Sequence, residues 1–234
     1  MSELEKYTNL IIDKIKKNKI STTEVADCLN KSGNIPLVKP INKGHFRVGK
    51  IYLVYGYDES NWTIHEQLQE AEQDSIILVE TYNLKERAVF GSLVSKYLLL
   101  YKGVSAIVVN GNMRDGGTLI KENYPIWCKN LTPIGSFNKM HEASLDSKIV
   151  NKWKYKYEGA IAVCDDSGVV IISKENINEE FLQKLNFIEL QEDIWFYCID
   201  TKKWNTFDVV CLQKYRDLKS LPPEYNEAFR KSQK

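Results

Sequence analysis

The chain has 234 residues, and its 32 basic and 31 acidic side chains leave a formal net charge of +1. That balance argues against a dedicated nucleic-acid binder, which carries a basic excess, and gives no reason to expect a membrane surface. Hydrophobic content of 43% with 27% charged residues is that of an ordinary globular protein, long enough to bury roughly 70% of its unfolded surface without help from disulfides or metals.

Residues 3–19 place Leu4, Leu10, Ile11 and Ile15 among lysines, which predicts an amphipathic helix. Ser21, with Glu24 three residues on, offers a capping box for a second helix running to about Lys31 and stopping at Ser32-Gly33. Pro36, Pro40 and Gly44 mark a loop. From there the pattern alternates: a strand over Ile51–Tyr55, a helix over Trp62–Ala71, a buried strand over Ser75–Glu80, a buried helix over Glu86–Tyr101, a strand over Val104–Asn110, and a helix from about Asp115 to Glu122. This βαβαβ order predicts an α/β fold with a parallel or mixed sheet covered by helices. Short strands are expected near Ile126 and Ile134, while residues 136–158 are polar, lysine-rich and without clear periodicity. Asp165-Asp166-Ser167-Gly168 between two apolar runs is a hairpin signal. A further helix is expected over Asn178–Asn186, followed by a tail with Trp195, Phe196, Tyr197, Trp204 and Phe207, residues used more often for packing or an interface than for stacking on a sugar. The division expected is residues 1–186 as one α/β domain and 187–234 as an extension packed on it or on a neighbouring subunit.

The five cysteines, Cys28, Cys128, Cys164, Cys198 and Cys211, are odd in number and lack CxxC spacing, so reduced thiols in a cytoplasm are the simplest expectation. The charged start MSELEKYTNL lacks a signal peptide's apolar core. The longest apolar runs fall far short of the ~20 residues that span a bilayer.

No phosphate-binding glycine loop, HExxH or GxSxG motif is present. His45, His65 and His141 have no ligand spacing, and each reads as structural. The segment Asn110-Gly111-Asn112-Met113-Arg114-Asp115 stands out, because a buried strand there enters a turn and presents Arg and Asp before a helix. Ligands collect at such carboxyl ends of strands. An Asp there suits a hard cation, and an Arg clamps a carboxylate. On pattern alone, the commoner use of the pair is a helix cap beside a solvated arginine.

Five blocks in order resemble the RraA-like family, which holds 4-hydroxy-4-methyl-2-oxoglutarate aldolases and regulators of ribonuclease activity. They are Ile20–Leu29, Asn61–Glu66, Glu86–Leu93, Gly103–Asp115 with Tyr124–Trp127, and Val163–Val170, spanning about residues 20–173. The resemblance implies a swivelling β/β/α domain with flanking helices, assembled as a homotrimer or a dimer of trimers (a hexamer) with sites between subunits. It implies a pyruvate-aldolase type of lyase, cleaving or decarboxylating a 2-oxo acid through an enolate. In that scheme Asp115 holds Mg²⁺ (or Mn²⁺) and Arg114 clamps the pyruvate portion. Ser92 and the amides of Leu93 and Val94 complete the substrate site. Aldolase members carry an Asp where this chain has Ser92, and the family's glycine-rich turn is replaced by Thr81-Tyr82-Asn83-Leu84. Those departures keep two alternatives open: a catalytically altered regulatory or binding protein, and a pocket adapted to another carbohydrate-pathway reaction.

Overall fold

The amphipathic amino-terminal segment forms helix α1 (Glu3–Asn18), capped by Ser2 and closed by Lys19 in the left-handed region, with Ile11, Ile12 and Ile15 buried. The structure, a computed structural model, describes residues 2–217, 221–223 and 225–227. The capping box forms as expected: Ser21 Oγ accepts from Glu24 N, and Glu24 Oε2 accepts from Ser21 N at 2.7 Å, starting α2 (Thr22–Cys28). This helix ends three residues before Lys31, because Asn30 and Lys31 both take positive φ.

Seven strands then build one sheet: β1 (Lys39–Pro40), β2 (Arg47–Tyr57), β3 (Ile76–Tyr82), β4 (Ala106–Met113), β5 (Ile126–Leu131), β6 (Ile161–Asp165) and β7 (Gly168–Ile172), in the order β1-β5-β4-β3-β2-β6-β7. The central strands β2, β3, β4 and β5 are parallel neighbours, while β1, β6 and β7 pair antiparallel at the edges. This is the mixed α/β sheet that the alternating pattern predicts. Strand side chains alternate between faces, and in β3 and β4 both faces are apolar. Ile77, Val79, Ile107 and Val109 pack beneath helices α3 (Trp62–Gln67), α4 (Ser92–Lys96, continued as a wider turn to Tyr101) and α5 (Gly116–Lys121). Ile76, Leu78, Ala106 and Val108 face the other way, onto Trp127, Ala162 and Tyr157 of α6 (Ser147–Tyr157). The Asp165–Gly168 turn joins β6 and β7 as the hairpin expected.

Two expectations need correction, and one stretch left unassigned by its pattern is filled in. Residues 86–91 are not helical. Ala88 N donates to Ile134 O and Val89 N to Asn112 O, so the segment spends its backbone on other chain segments and the helix starts only at Ser92. No strand forms at Ile134. Pro133 has no N–H to give, and the segment makes only isolated bridges, such as Ala88 to Gly135. The lysine-rich stretch 136–158 does hold a helix, α6, whose start is capped by Asp146 accepting from Lys148 N.

Contacts divide the chain into residues 1–177 and 178–234, so the division expected after residue 186 falls inside α7 (Glu179–Asp200). The second unit has its own cluster of Ile194, Cys198, Val209, Tyr215 and Leu221, against which Trp195, Tyr197 and Trp204 pack, while Phe196 and Phe207 stay exposed. None of the five cysteines is in a disulfide. Among the described residues no helix is long and apolar enough to cross a membrane.

Candidate functional site

Strands β3 and β4 end side by side, and the loops leaving their carboxyl ends carry the site. In β4 the register against β5 slips between Val109 and Asn112, so one extra residue is accommodated as a bulge. The bulge is held from below. Asn110 Nδ2 donates to both oxygens of the buried Glu80, at 3.0 and 2.8 Å, and Tyr157 OH donates to Glu80 Oε1 at 2.6 Å. Burial, and then the Glu80 charge beside it, push the Tyr157 phenol up from its ordinary value, so it remains a donor.

Past the bulge, Arg114 N donates to Phe90 O at 3.1 Å, tying the β4 exit to the segment that enters α4. Asp115 then takes φ +62°, ψ +34°, a left-handed turn that Asp tolerates better than most residues. This turn swings its carboxylate back to the start of α4, where Asp115 Oδ2 accepts from Ser92 N and from Ser92 Oγ, both at 2.9 Å. The Ser92 amide bond first, with the hydroxyl bond and the nearby Arg114 charge adding to it, holds the carboxyl below its usual value, so it is ionised at neutral pH. The other oxygen, Oδ1, lies 4.0 Å from Arg114 Nε.

Two glycines make this approach possible. A Cβ at Gly91 would overlap Asp115 Oδ2 and sit 2.7 Å from Arg114 Cγ, and a Cβ at Gly135 would sit 2.6 Å from the Arg114 guanidinium. Gly91 also starts α4 without a side-chain cap, and first-turn amides have no partner inside their own helix. The result is a cleft of about 140 Å³ lined by Leu93, Val94, Arg114, Asp115, Asn61 and His65, among others.

The structure therefore brings all five residues singled out in the sequence to one place. Arg114, Asp115, Leu93 and Val94 line the cleft, and Ser92 joins it through its two bonds to Asp115. Asn61 and His65 were not expected there. His45 donates or accepts at Asn123, and His141 stacks on Tyr57, as structural histidines do. Among the described residues no group of three His, Cys, Asp or Glu side chains could hold a metal. A single carboxylate with one uncommitted oxygen nonetheless fits Mg²⁺, which keeps several waters and uses one or two carboxylates plus substrate.

A family model described as RraA-like (Aldolase/RraA) matches residues 22–171. The protein named "Putative 4-hydroxy-4-methyl-2-oxoglutarate aldolase" from Halalkalibacterium halodurans is 28% identical over 169 residues, covering 70% of this chain and 78% of that protein. Protein DlpA of Legionella pneumophila is 22% identical over 196 residues, covering 82% of this chain, which spans about a third (32%) of DlpA's length. Two solved structures share the fold. An uncharacterized protein from Pseudomonas syringae has a TM-score of 0.62 at 20% identity, with 82% of this chain and 93% of that chain covered. RraAS2 of Streptomyces coelicolor has a TM-score of 0.59 at 17% identity, with 78% and 93% covered.

Proposed function

Because the chain belongs to the RraA-like family, we propose that its cleft binds a small 2-oxo acid and breaks the carbon–carbon bond that leaves a pyruvate-type enolate, by aldol cleavage or decarboxylation. The observation that carries this reading is the convergence of Arg114, Asp115 and the first turn of α4, with Leu93 and Val94, on one small cleft. The guanidinium of Arg114 and the amides of Leu93 and Val94 are donors suited to a carboxylate and to the oxygen on which enolate charge develops. Ser92 fixes the Asp115 carboxylate by one oxygen and leaves Oδ1 for a cation. Bound there through Asp115, Mg²⁺ or Mn²⁺ supplies Lewis-acid stabilisation of the same developing charge.

The working unit in this proposal is a homotrimer or a dimer of trimers. Leu93, Tyr97, Leu100 and Tyr101 support it: they follow helical spacing from the rim of the cleft and are all exposed. Light scattering of the purified protein checks it, and a monomer at micromolar concentration counts against it.

The reaction itself is tested by coupling pyruvate release to lactate dehydrogenase, with Mg²⁺ and either oxaloacetate or 4-hydroxy-4-methyl-2-oxoglutarate as substrate. Pyruvate release that disappears in Asp115→Ala supports the reading. No release from either acid by a correctly assembled protein overturns it. Ser92, standing where the aldolase members carry a carboxylate, favours a second reading, a regulatory or binding protein on the same scaffold. Under that reading titration with Mn²⁺ shows no binding, and Asp115→Ala leaves partner binding unchanged.

A further inference from the structure

The cleft has a second polar wall that Arg114 and Asp115 do not explain. Helix α3 supplies it. Asn61 stands at its start and His65 lies one turn on, their backbones joined by His65 N donating to Asn61 O at 3.1 Å, so both side chains share one face.

Asn61 is only 6% exposed. Its Nδ2 donates to Val89 O at 2.8 Å, and a carbonyl can only accept, so the amide orientation is fixed. The remaining atom, Oδ1, is buried and has no hydrogen-bond partner among the described residues. A buried acceptor left this way is costly unless something supplies a donor. A site built around such a group discriminates strongly for ligands that supply it. His65 is more exposed than Asn61, and no hydrogen bond among the described residues engages its ring. Burial of part of the imidazole pushes its pKa below the usual value, so at neutral pH it is an acceptor.

The cleft thus gathers donors, from Arg114 and the start of α4, together with acceptors that Arg114 and Asp115 do not use, Asn61 Oδ1 and a ring nitrogen of His65. Resting on the enolate-forming reading above, we propose that His65 is the base that takes the proton from the 4-hydroxyl of a hydroxylated 2-oxo acid, that single O–H being shared with Asn61 Oδ1 in the bound complex until it is transferred. The donors hold the carboxylate and the 2-oxo group. His65 accepts the hydroxyl proton on a ring nitrogen. The oxygen's freed electron pair forms the new carbonyl as the C3–C4 bond breaks. The pair from that bond passes to the 2-oxo oxygen as the enolate facing Arg114. Return of the proton from the imidazolium to C3 gives the shorter 2-oxo acid and restores His65. Decarboxylation of oxaloacetate makes the same enolate but deprotonates no hydroxyl, so it bypasses these acceptors.

That difference is the test. His65→Gln keeps a polar side chain at an exposed position but cannot carry a proton. Kinetics with Mg²⁺ are compared on 4-hydroxy-4-methyl-2-oxoglutarate and on oxaloacetate. In His65→Gln, kcat for cleavage falls about 100-fold or more while decarboxylation stays within about threefold. Asn61→Ala raises KM for the hydroxylated acid about tenfold and leaves that for oxaloacetate unchanged, whereas mere loss of its brace on Val89 would move both substrates equally. Full cleavage by His65→Gln, or equal loss of both reactions, overturns the assignment of His65, and equal KM rises overturn that of Asn61. A wild-type protein that performs neither reaction overturns the enolate reading itself, and this assignment with it.

Discussion

Two polar clusters hang from strands β3 and β4, and they differ in what is left over. Below the sheet, Glu80, Asn110 and Tyr157 close on one another. Glu80 is 4% exposed, and its two carboxyl oxygens receive three hydrogen bonds from neutral donors of the chain itself. A few residues along the same strands, Arg114 and Asp115 reach a cleft where Asp115 Oδ1 and Asn61 Oδ1 keep unspent capacity and the Leu93 and Val94 amides have no partner inside their helix. A satisfied buried network specifies a backbone shape. A set of fixed groups with open valences is suited to a ligand. The first cluster shapes the bulge from which the second projects.

The sharpest test of that division is Arg114→Ala. The side chain is half exposed, so its loss is expected to leave the melting temperature nearly unchanged. If the cleft forms an enolate as proposed, removing this donor is expected to cost about 10²–10³ in kcat. Steady-state kinetics and thermal melting on the same sample separate the two. A fall in melting temperature matched to the fall in rate would erase the contrast between the clusters.

Gly91→Ala probes how tightly the cleft is built. The added methyl meets Asp115 Oδ2 and Arg114 Cγ, so both side chains must shift. A displacement of about 1 Å near a reacting centre is worth roughly 100-fold. The expected outcome is a comparable loss of pyruvate release with weaker Mn²⁺ binding, read by kinetics and by titration. Wild-type kinetics in this variant would mean that the close approach of α4 to Asp115 is not needed.

Tyr157→Phe attacks the other cluster. It deletes the donor of the 2.6 Å bond to Glu80 with almost no change in volume. A hydrogen bond to a charged group is worth about 1.5–3 kcal/mol, which corresponds to a loss of roughly 3–12 °C in melting temperature for a protein of this size. If pyruvate release at 25 °C falls more than the stability does, the network also positions Arg114 rather than only supporting the fold.

The two clusters are unequally legible in the sequence, for physical reasons. Arg114 and Asp115 are legible because the signal is local: an apolar strand, a turn and a helix start, all within ten residues. The Ser21–Glu24 box and the Asp165–Gly168 hairpin are legible for the same reason. Ala88, Val89 and Phe90 are not legible as extended chain, because a buried extended segment carries the same apolar density as a buried helix and only the bonds of Ala88 to Ile134 and of Val89 to Asn112 distinguish the two. Helix α6 hides behind exposed lysines, with Tyr157 as its buried residue, although Asp146 was an available cap signal. His65 has no local signal at all. Its place in the cleft depends on α3 meeting the start of α4, the end of β4 and the segment at Gly135, all distant along the chain, so the separation of the three histidines in sequence says nothing about it.

The smallest expected effect bears on how Asp115 is held. Its carboxyl titrates below the ordinary value chiefly because of the Ser92 amide, with the Ser92 hydroxyl a lesser contributor after the opposing effect of burial. A depressed folded-state pKa means the ionised form contributes stability above the unfolded value of about 3.9, and that contribution is lost as pH falls through the lower folded value. Ser92→Ala removes the hydroxyl and keeps the amide. The Asp115 pKa is then expected to rise by only part of its depression, and the acid limb of the stability curve to move slightly upward in pH. NMR titration of the Asp115 carboxyl in wild type and variant measures this directly. A return to about 3.9 would transfer the main hold to the hydroxyl, and no change would assign it entirely to the backbone. In that last case Ser92 would be interchangeable with any residue that starts α4 in the same place, and its difference from the aldolase members would lie only in the carboxylate it lacks.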